Sequence, residues 1–534
     1  MGMAPTPQSD GLELEADVLV IGGGLAGAWA ASAAAREGAS VILADKGYCG
    51  TSGVTATAGP GHWWVPPDPP QARVEAVRQR NARALGLADP EWMERVIDQT
   101  WRALPTLAGY YDFTPDDDGV VQYRGLRGPE YMRALRRLIE DLGVFVLDQS
   151  PALELLLRAD ASVGGAAGWR RQAREPWRVR AGAVVLATGG CAFKSRLLGC
   201  HTNTGDGHLM AAEAGAVLSG MEFSAYYTVA PARTTMTRSM SYTFARYFDA
   251  DRRELDIAPG PGSTEALARA LLKGPVFCSL DRTPADIREV MSQVQPNFVL
   301  TFARDGIDPY TDLFEVTLRG EGTVRGVGGL RVAGEGCQTD VAGLFVAGDT
   351  ASREPVAGAT SGGGAQNSAW ALSTGIWAGQ AAAELARRDG VRADEPVSPA
   401  GQAGLRPAAG ERSVDARAVI AAVQNEMLPY DKNLFRTGGG LTASLDELED
   451  LWGEVRDHAA GKAGEAVRTR EAAALVAVGR WCYAAALART ESRGMHQRLD
   501  LPSIDARLTR RQVVGGLDRV WTRFERPPAR TEAA

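Results

Sequence analysis

Residues 16–27 read ADVLVIGGGLAG, and Asp45 stands 18 residues beyond the last of these glycines. The apolar run 16–21 fits a strand buried on both faces, and an alanine-rich helical pattern starts directly after it. Gly22 permits a tight turn, Gly24 lets the backbone approach a pyrophosphate, and Gly27 lets the helix pack on the strand. The helix start, with Leu25 and Ala26 in its first turn, offers amide groups and a positive dipole end to phosphate. A second apolar run, 40–44, ends at Asp45, placed to accept from an adenosine ribose hydroxyl. Strand, helix and acid in this register predict a Rossmann-like dinucleotide-binding unit over roughly 16–60.

The chain has 534 residues, enough for about two to four domains. It is 45% hydrophobic and 23% charged, as in ordinary soluble enzymes, and its net charge of −7 argues against nucleic acid as a partner. Charges interrupt each apolar run short of the roughly 20 residues a membrane span needs. The first 15 residues lack the basic start and apolar stretch of a signal peptide, so a loose tail and a cytoplasmic location are expected. Six cysteines occur without a CxxC or a Cys/His cluster, so no metal site is expected.

Two further apolar runs stop at small residues where backbone can lie against a ligand. One, 182–186, leads into Ala187, Thr188 and Gly189; the other, 343–347, leads into Gly348 and Asp349. Between them a Thr-Gly-Asp206-Gly turn opens a helix over 208–216. Aromatic, arginine and proline residues without a βαβ rhythm fill about 225–330, which reads as an insertion. The expected organisation is α/β: a cofactor-binding domain over 16–225 and 330–388, and an α+β capping domain over 226–329. A linker follows over 389–411, then a helical domain over 412–510, with tails at 1–15 and 511–534.

On GGGLAG (22–27), DKGYCGTSG (45–53), LATGG (186–190), TNTGDGHLMAAEAGA (202–216), GLFVAGD (343–349) and ARTESRGMH (488–496), the chain resembles the fumarate reductase and succinate dehydrogenase flavoproteins. L-aspartate oxidase and adenylylsulfate reductase belong to the same family. The resemblance implies FAD, and the two extra small-residue strand ends suit such a long buried cofactor. Lys46, Thr51, Ser52, Gly53 and Gly59 join the residues already named as its expected contacts. Asp349 is placed to bond the ribityl chain; a plain turn aspartate is the lesser alternative. A helix starting near Gly363, with Asn367 and Ser368 in it, would aim its positive end at the flavin N1/C2 region.

In many of these flavoproteins a histidine after the serine of the second-strand loop carries FAD covalently; here Ser52 is followed by Gly53, so non-covalent FAD is expected. The family's dicarboxylate enzymes use two histidines and two arginines at the flavin. The matching positions here are Tyr227, Val324, Thr264 and Ser361. A buried carboxylate without a cationic partner is expensive, so fumarate, succinate and aspartate are not expected as substrates unless Arg325 or Arg353 supplies the charge.

Tyr227 is the first candidate for proton transfer, if Arg233 or Arg246 lowers its pKa; a packing tyrosine is the plainer reading. His201 reads either as a turn histidine or as an active-site residue, and Arg353 as a flavin or substrate contact. His62, Trp63 and Trp64 form either an aromatic wall or a packed loop. Glu491 and Arg493 read as a buried ion pair between domains, with His496 structural. The expected function is hydride transfer at flavin N5 on a small organic molecule, at a CH–CH or C–N bond, in a specialised pathway. An electron-transfer partner or self-association would complete it. The rivals are a sulfur-nucleophile enzyme with an iron–sulfur partner and a non-catalytic electron relay.

Overall fold

The structure is a computed structural model and describes residues 11–116, 118–236, 240–260, 262–392 and 394–525. The tails expected over 1–10 and 526–534 lie outside the described residues. Strand β1 (Leu12–Ile21) alternates in burial over its first half, then is buried on both faces from Val18 to Ile21. It pairs in parallel with β2 (Val41–Ala44) on one side and β3 (Glu175–Leu186) on the other. Central parallel strands covered on both faces need this apolar continuity. Strand β4 (Leu344–Val346) pairs in parallel with the end of β3. The carboxyl ends of β1, β2, β3 and β4 therefore lie together, the place where open α/β sheets take ligands.

The eight-stranded sheet continues through Val163–Arg170 and Ala152–Leu157 to Ser398–Pro399 at one edge, and through Phe145–Leu147 at the other. Two helices cover one face: α1 (Leu25–Arg36) and α2 (Gly363–Asp389). They cross at backbone distance. A Cβ on Gly375 would stand 2.4 Å from the Ala26 carbonyl oxygen, and one on Gly379 would stand 2.2 Å from that of Ala30. This small-residue seam fixes where α2 begins, and so where its amino end points.

Residues Tyr227–Pro231, Arg246–Phe248, Glu254–Leu255, Val276–Ser279 and Phe314–Gly320 form a separate five-stranded antiparallel sheet. It has its own core around Phe298, Phe302, Phe314 and Tyr247. This is the inserted α+β domain. Three long helices, Ala416–Met427, Gly438–His458 and α3 (Glu465–Ala488), build the C-terminal helical domain. Helix α3 is long and apolar enough to cross a membrane, but 83% of its most apolar window is buried within the protein.

Three expected boundaries shift. Strand β1 begins at Leu12, inside the stretch read as tail. The stretch read as a linker supplies the edge strand Ser398–Pro399 and the buried Ala403. The stretch read as a C-terminal tail contains strands Gln512–Gly515 and Trp521–Phe524, which extend a small sheet through Leu218–Ser219. The last three strands have four residues or fewer; Ser398–Pro399 and Gln512–Gly515 take partners far away in the chain, and Trp521–Phe524 pairs with Gln512–Gly515 as a hairpin.

His62 and Trp63 are core residues, not a cleft wall: Nε2 of His62 faces the Tyr131 hydroxyl at 3.4 Å, and the Trp64 ring stacks on Trp101. Burial pushes the His62 imidazole down to about 3 and that of His208 to about 4. An unfolded imidazole takes its proton near 6.5, so unfolding takes up protons below that pH and stability falls as pH drops toward those values. Each such group contributes about 1.4 kcal/mol per pH unit within its window. The melting temperature should decline steeply from pH 6.5 to 4.5, and less steeply in His62→Leu. A flat profile, or an identical slope in the variant, would contradict this reading.

Candidate functional site

A cleft of about 1200 Å³ opens over the carboxyl ends of β1 to β4. Its floor contains Gly22, Gly24, Leu25 and Ala26 of the first turn, Asp45 and Lys46 after β2, and Thr51, Ser52, Gly53 and Gly59 beyond. Ala187, Thr188, Gly189 and Asp206 line it after β3, Gly348 and Asp349 after β4, and Asn367 and Ser368 at the start of α2. The inserted domain roofs it with Tyr226, Thr228, Thr243 and 293–297.

The first turn works through missing side chains. A Cβ on Gly27 would sit 1.7 Å from the Gly22 carbonyl oxygen, so helix and strand meet there with no room for one. Gly27 does not line the cleft; it shapes the turn. A Cβ on Gly24 would meet nothing within 4 Å and would enter the cleft where α1 presents its amino end.

Among the described cleft residues, Asp45, Asn367 and Arg325 carry buried side-chain atoms without a partner. Asp45 accepts from the Gly47 amide at 2.9 Å through Oδ1, whereas Oδ2 is buried with Ser52 and the Gly23 backbone near the carboxylate but makes no hydrogen bond of good geometry. Burial raises its pKa. Asn367 is 8% exposed, and neither its Oδ1 nor its Nδ2 has a partner. Unsatisfied buried amides and carboxylates are costly, and a ligand with hydroxyl, carbonyl and imide groups removes the cost. An open glycine cradle at a helix start, a ribose-accepting carboxylate and an orphaned amide at a second helix start fit FAD.

Lys46 lines the cleft but is saturated within the protein, by Asp206 at 2.7 Å, Glu471 at 2.6 Å and Thr204 Oγ1 at 2.9 Å. Against the desolvation of its site, Lys46 and Lys194 hold the Glu471 carboxyl down to about 2. Among the described residues no group of three His, Cys, Asp or Glu side chains is placed to hold a metal ion. All six cysteines are free and buried.

The catalytic candidates separate. Tyr227 points away from the cleft: it is buried, its hydroxyl donates to the Leu428 carbonyl at 3.0 Å, and its ring meets Tyr430 edge-on. Burial pushes its pKa up, the wrong direction for a base. Strand alternation sends its neighbours Tyr226 and Thr228 into the cleft instead. Arg246 sits on the surface of the inserted domain, paired with Glu254 and with Asp281 at 2.7 Å. Arg353 is buried and does not line the cleft. It grips Asp349 and the carbonyls of Thr323, Val324 and Gly326, so it fixes the Asp349 turn from inside the protein. His201 lies exposed on the cleft wall beside Thr202 and Asn203; burial and Lys194 lower its pKa.

Of the four positions matched to dicarboxylate-binding residues, only Val324 lines the cleft, and it is apolar. Beside it stands Arg325, whose Nη2 donates to the Tyr226 hydroxyl at 3.3 Å and whose guanidinium lies over the Tyr226 ring. A Cβ on Gly364, in the first turn of α2, would stand 3.8 Å from Arg325 Nη1. Arg325 and the amino end of α2 thus bring positive charge to one corner. The ion pair read from the 488–496 stretch is present: Glu491 binds Arg489 and Arg493, and Arg489 reaches Glu222 at 2.7 Å. His496 lies between Arg436 and the Arg489 carbonyl, a structural place.

Residues 17–239 match the FAD binding domain family, and residues 424–518 match the fumarate reductase flavoprotein C-terminal family. An L-aspartate oxidase of Halobacterium salinarum is 31% identical over 244 residues, 40% of this chain and 45% of that protein, so this alignment spans less than half of the relative. An L-aspartate oxidase of Streptomyces coelicolor is 26% identical over 96% of this chain and 92% of its own length. A mutant FrdA chain of E. coli quinol fumarate reductase superposes with a TM-score of 0.79 at 20% identity, covering 97% of this chain and 99% of that one. Adenylylsulfate reductase of Archaeoglobus fulgidus gives 0.78 at 17% identity, with 98% of each chain covered. At these identities the two structures share the fold.

Two glycine substitutions separate folding from binding. Gly24→Ala should leave the melting temperature of the cofactor-free protein unchanged and weaken binding of added FAD, read by flavin fluorescence. Gly27→Ala should lower both, with a stability loss of about 1–3 kcal/mol or more from the forced backbone shift. Equal melting temperatures for the two variants would contradict the assignment.

Proposed function

The chain belongs to the fumarate reductase and succinate dehydrogenase flavoprotein family, with FAD as cofactor, and from that premise we propose that it oxidises or reduces a small organic molecule other than a C4 dicarboxylate. The observation that carries this reading is the cleft wall built from residues 226–297 and 324–371. Among its described lining residues Arg325 is the one cation; the cleft's other lysine and arginine, Lys46 and Arg127, lie outside this wall and pair with Asp206 and Glu471 and with Glu130. A dicarboxylate needs two such partners. Relatives named L-aspartate oxidase make aspartate the natural competitor, and the same count argues against it.

When bound, FAD supplies two-electron hydride exchange. The first turn of α1 and Gly24 would hold its pyrophosphate, Asp45 its ribose, and Asp349, Asn367 and the α2 amino end the flavin half. Arg325 anchors one anionic or electron-withdrawing group of the substrate. Tyr226 is the proton-transfer group: its hydroxyl lines the cleft and accepts a hydrogen bond from Arg325, which holds it beside the substrate anchor. The roof closes near the 59–61 loop, where a Cβ on Gly59 would stand 3.7 Å from the Val294 carbonyl oxygen. That closure excludes water from the reacting bond. FAD is held without a covalent bond, since Gly53 has no side chain to carry one, and an electron-transfer partner or a small carrier completes the cycle.

Acid precipitation should release all the flavin into the supernatant; colour left in the pellet would contradict non-covalent binding. Anaerobic mixing with a panel of amines, enones and acids should bleach the flavin with a compound outside the succinate, fumarate and aspartate set. With that compound Arg325→Met should lower kcat/KM by about 100-fold, and Tyr226→Phe should lower kcat by a similar factor with KM little changed. Turnover of succinate or aspartate at a rate matching the best of the panel would overturn the proposal.

A further inference from the structure

The wall of the cleft around Asp45 is tied to the helical domain by a four-member charge cluster that no chemical step requires. Lys46, directly after Asp45, sits among Asp206, Glu471, Thr204 Oγ1 and the Thr202 carbonyl oxygen, the last at 3.3 Å. The other oxygen of Glu471 binds Lys194 at 2.9 Å. Thr204 donates to Asp206 Oδ1 at 2.7 Å. Lys46 and Asp206 line the cleft; Glu471, on α3, does not. Two ammonium groups thus face two carboxylates, and the cluster is neutral. Its four members come from the turn after β2, the loop after β3, the helix Asp206–Glu213 and α3.

We infer that Glu471 is a cofactor-positioning residue, through which the C-terminal helical domain sets how tightly the cleft holds FAD. Lys46 pins two cleft segments together, the turn carrying Asp45 and the 202–206 turn, and Glu471 fixes where Lys46 sits. The Glu471 side chain is 11% exposed and those of Lys46 and Lys194 are 16% and 14% exposed, so solvent screens the contacts weakly. Without the Glu471 charge, Lys194 loses its counter-ion and Lys46 keeps Asp206 alone, so the spacing of the two turns relaxes. The neighbouring Arg470 provides an internal control. It ties the same helix to the same domain through Glu213, at 2.8 Å from Nη1, and through the Leu153 carbonyl at 2.8 Å, but neither Arg470 nor Glu213 lines the cleft.

The test measures FAD affinity by flavin fluorescence and release rate after dilution, in the full chain, with melting temperature and circular dichroism recorded alongside. Glu471→Gln should raise the FAD Kd about tenfold and speed release, with the fold retained. Arg470→Gln should lower the melting temperature and leave the Kd within about twofold. Should Glu471→Gln fail to fold, Glu471→Asp, which keeps the charge and shortens the reach, carries the same expectation of weakened binding. Unchanged or tighter FAD binding in the Glu471 variants would overturn the inference, and so would an equal rise in Kd for Arg470→Gln, which would mark a general loosening of the domain contact.

Discussion

The protein depends on a contact between two pieces of backbone, Gly27 of α1 against the carbonyl of Gly22 at the end of β1. No side chain fits between them. That closeness makes the strand-to-helix turn tight enough to leave the amino end of α1 facing the cleft. Helix α2 repeats the device, crossing α1 at Gly375 and Gly379 with no room for larger residues. Two helix starts are thus held over the ends of a buried parallel sheet, and their positions follow from small residues. Larger residues there would strain the backbone and lose the cavity together.

Once the backbone is fixed, the cleft carries an electrostatic debt. The Asp45 carboxylate and the Asn367 amide are buried with atoms that nothing in the chain satisfies. Such groups are tolerated where a ligand completes them. Arg353 works from inside the protein: its two terminal amino groups bind Asp349 and three carbonyls, which braces the Asp349 turn at the cleft edge.

The sequence made the cofactor half of the site legible because that half rests on local signals: glycines at fixed offsets, an acid after the second strand, small residues at strand ends. The substrate half was less legible. Tyr227 and Tyr226 are adjacent, and a strand sends adjacent side chains to opposite faces, so a placement off by one residue picks the buried ring over the cleft-facing one. Arg353 lies beside the right turn in sequence but points inward, which spacing alone does not reveal. Arg246 belongs to the same inserted domain as Tyr227, yet it faces outward and pairs with Glu254 and Asp281. Lys46 does lie in the cleft, yet its saturation by Glu471, 425 positions away, is invisible in any local pattern. The short strands at 512–524 form a hairpin, and its first strand finds its other partner, Leu218–Ser219, far back in the chain.

The charge distribution joins these halves. Positive features gather at the start of α2, where Arg325 meets the helix end, and the second cationic cluster, at Lys46, is neutralised internally. A structure of the FAD-loaded protein tests the central claim most directly. The expected result is ribose hydroxyls on Asp45 Oδ2 and flavin polar atoms on the Asn367 amide, both at hydrogen-bond distance, with Arg325 and Tyr226 facing the same ring. Bound FAD that leaves the Asp45 and Asn367 atoms unpartnered would contradict it.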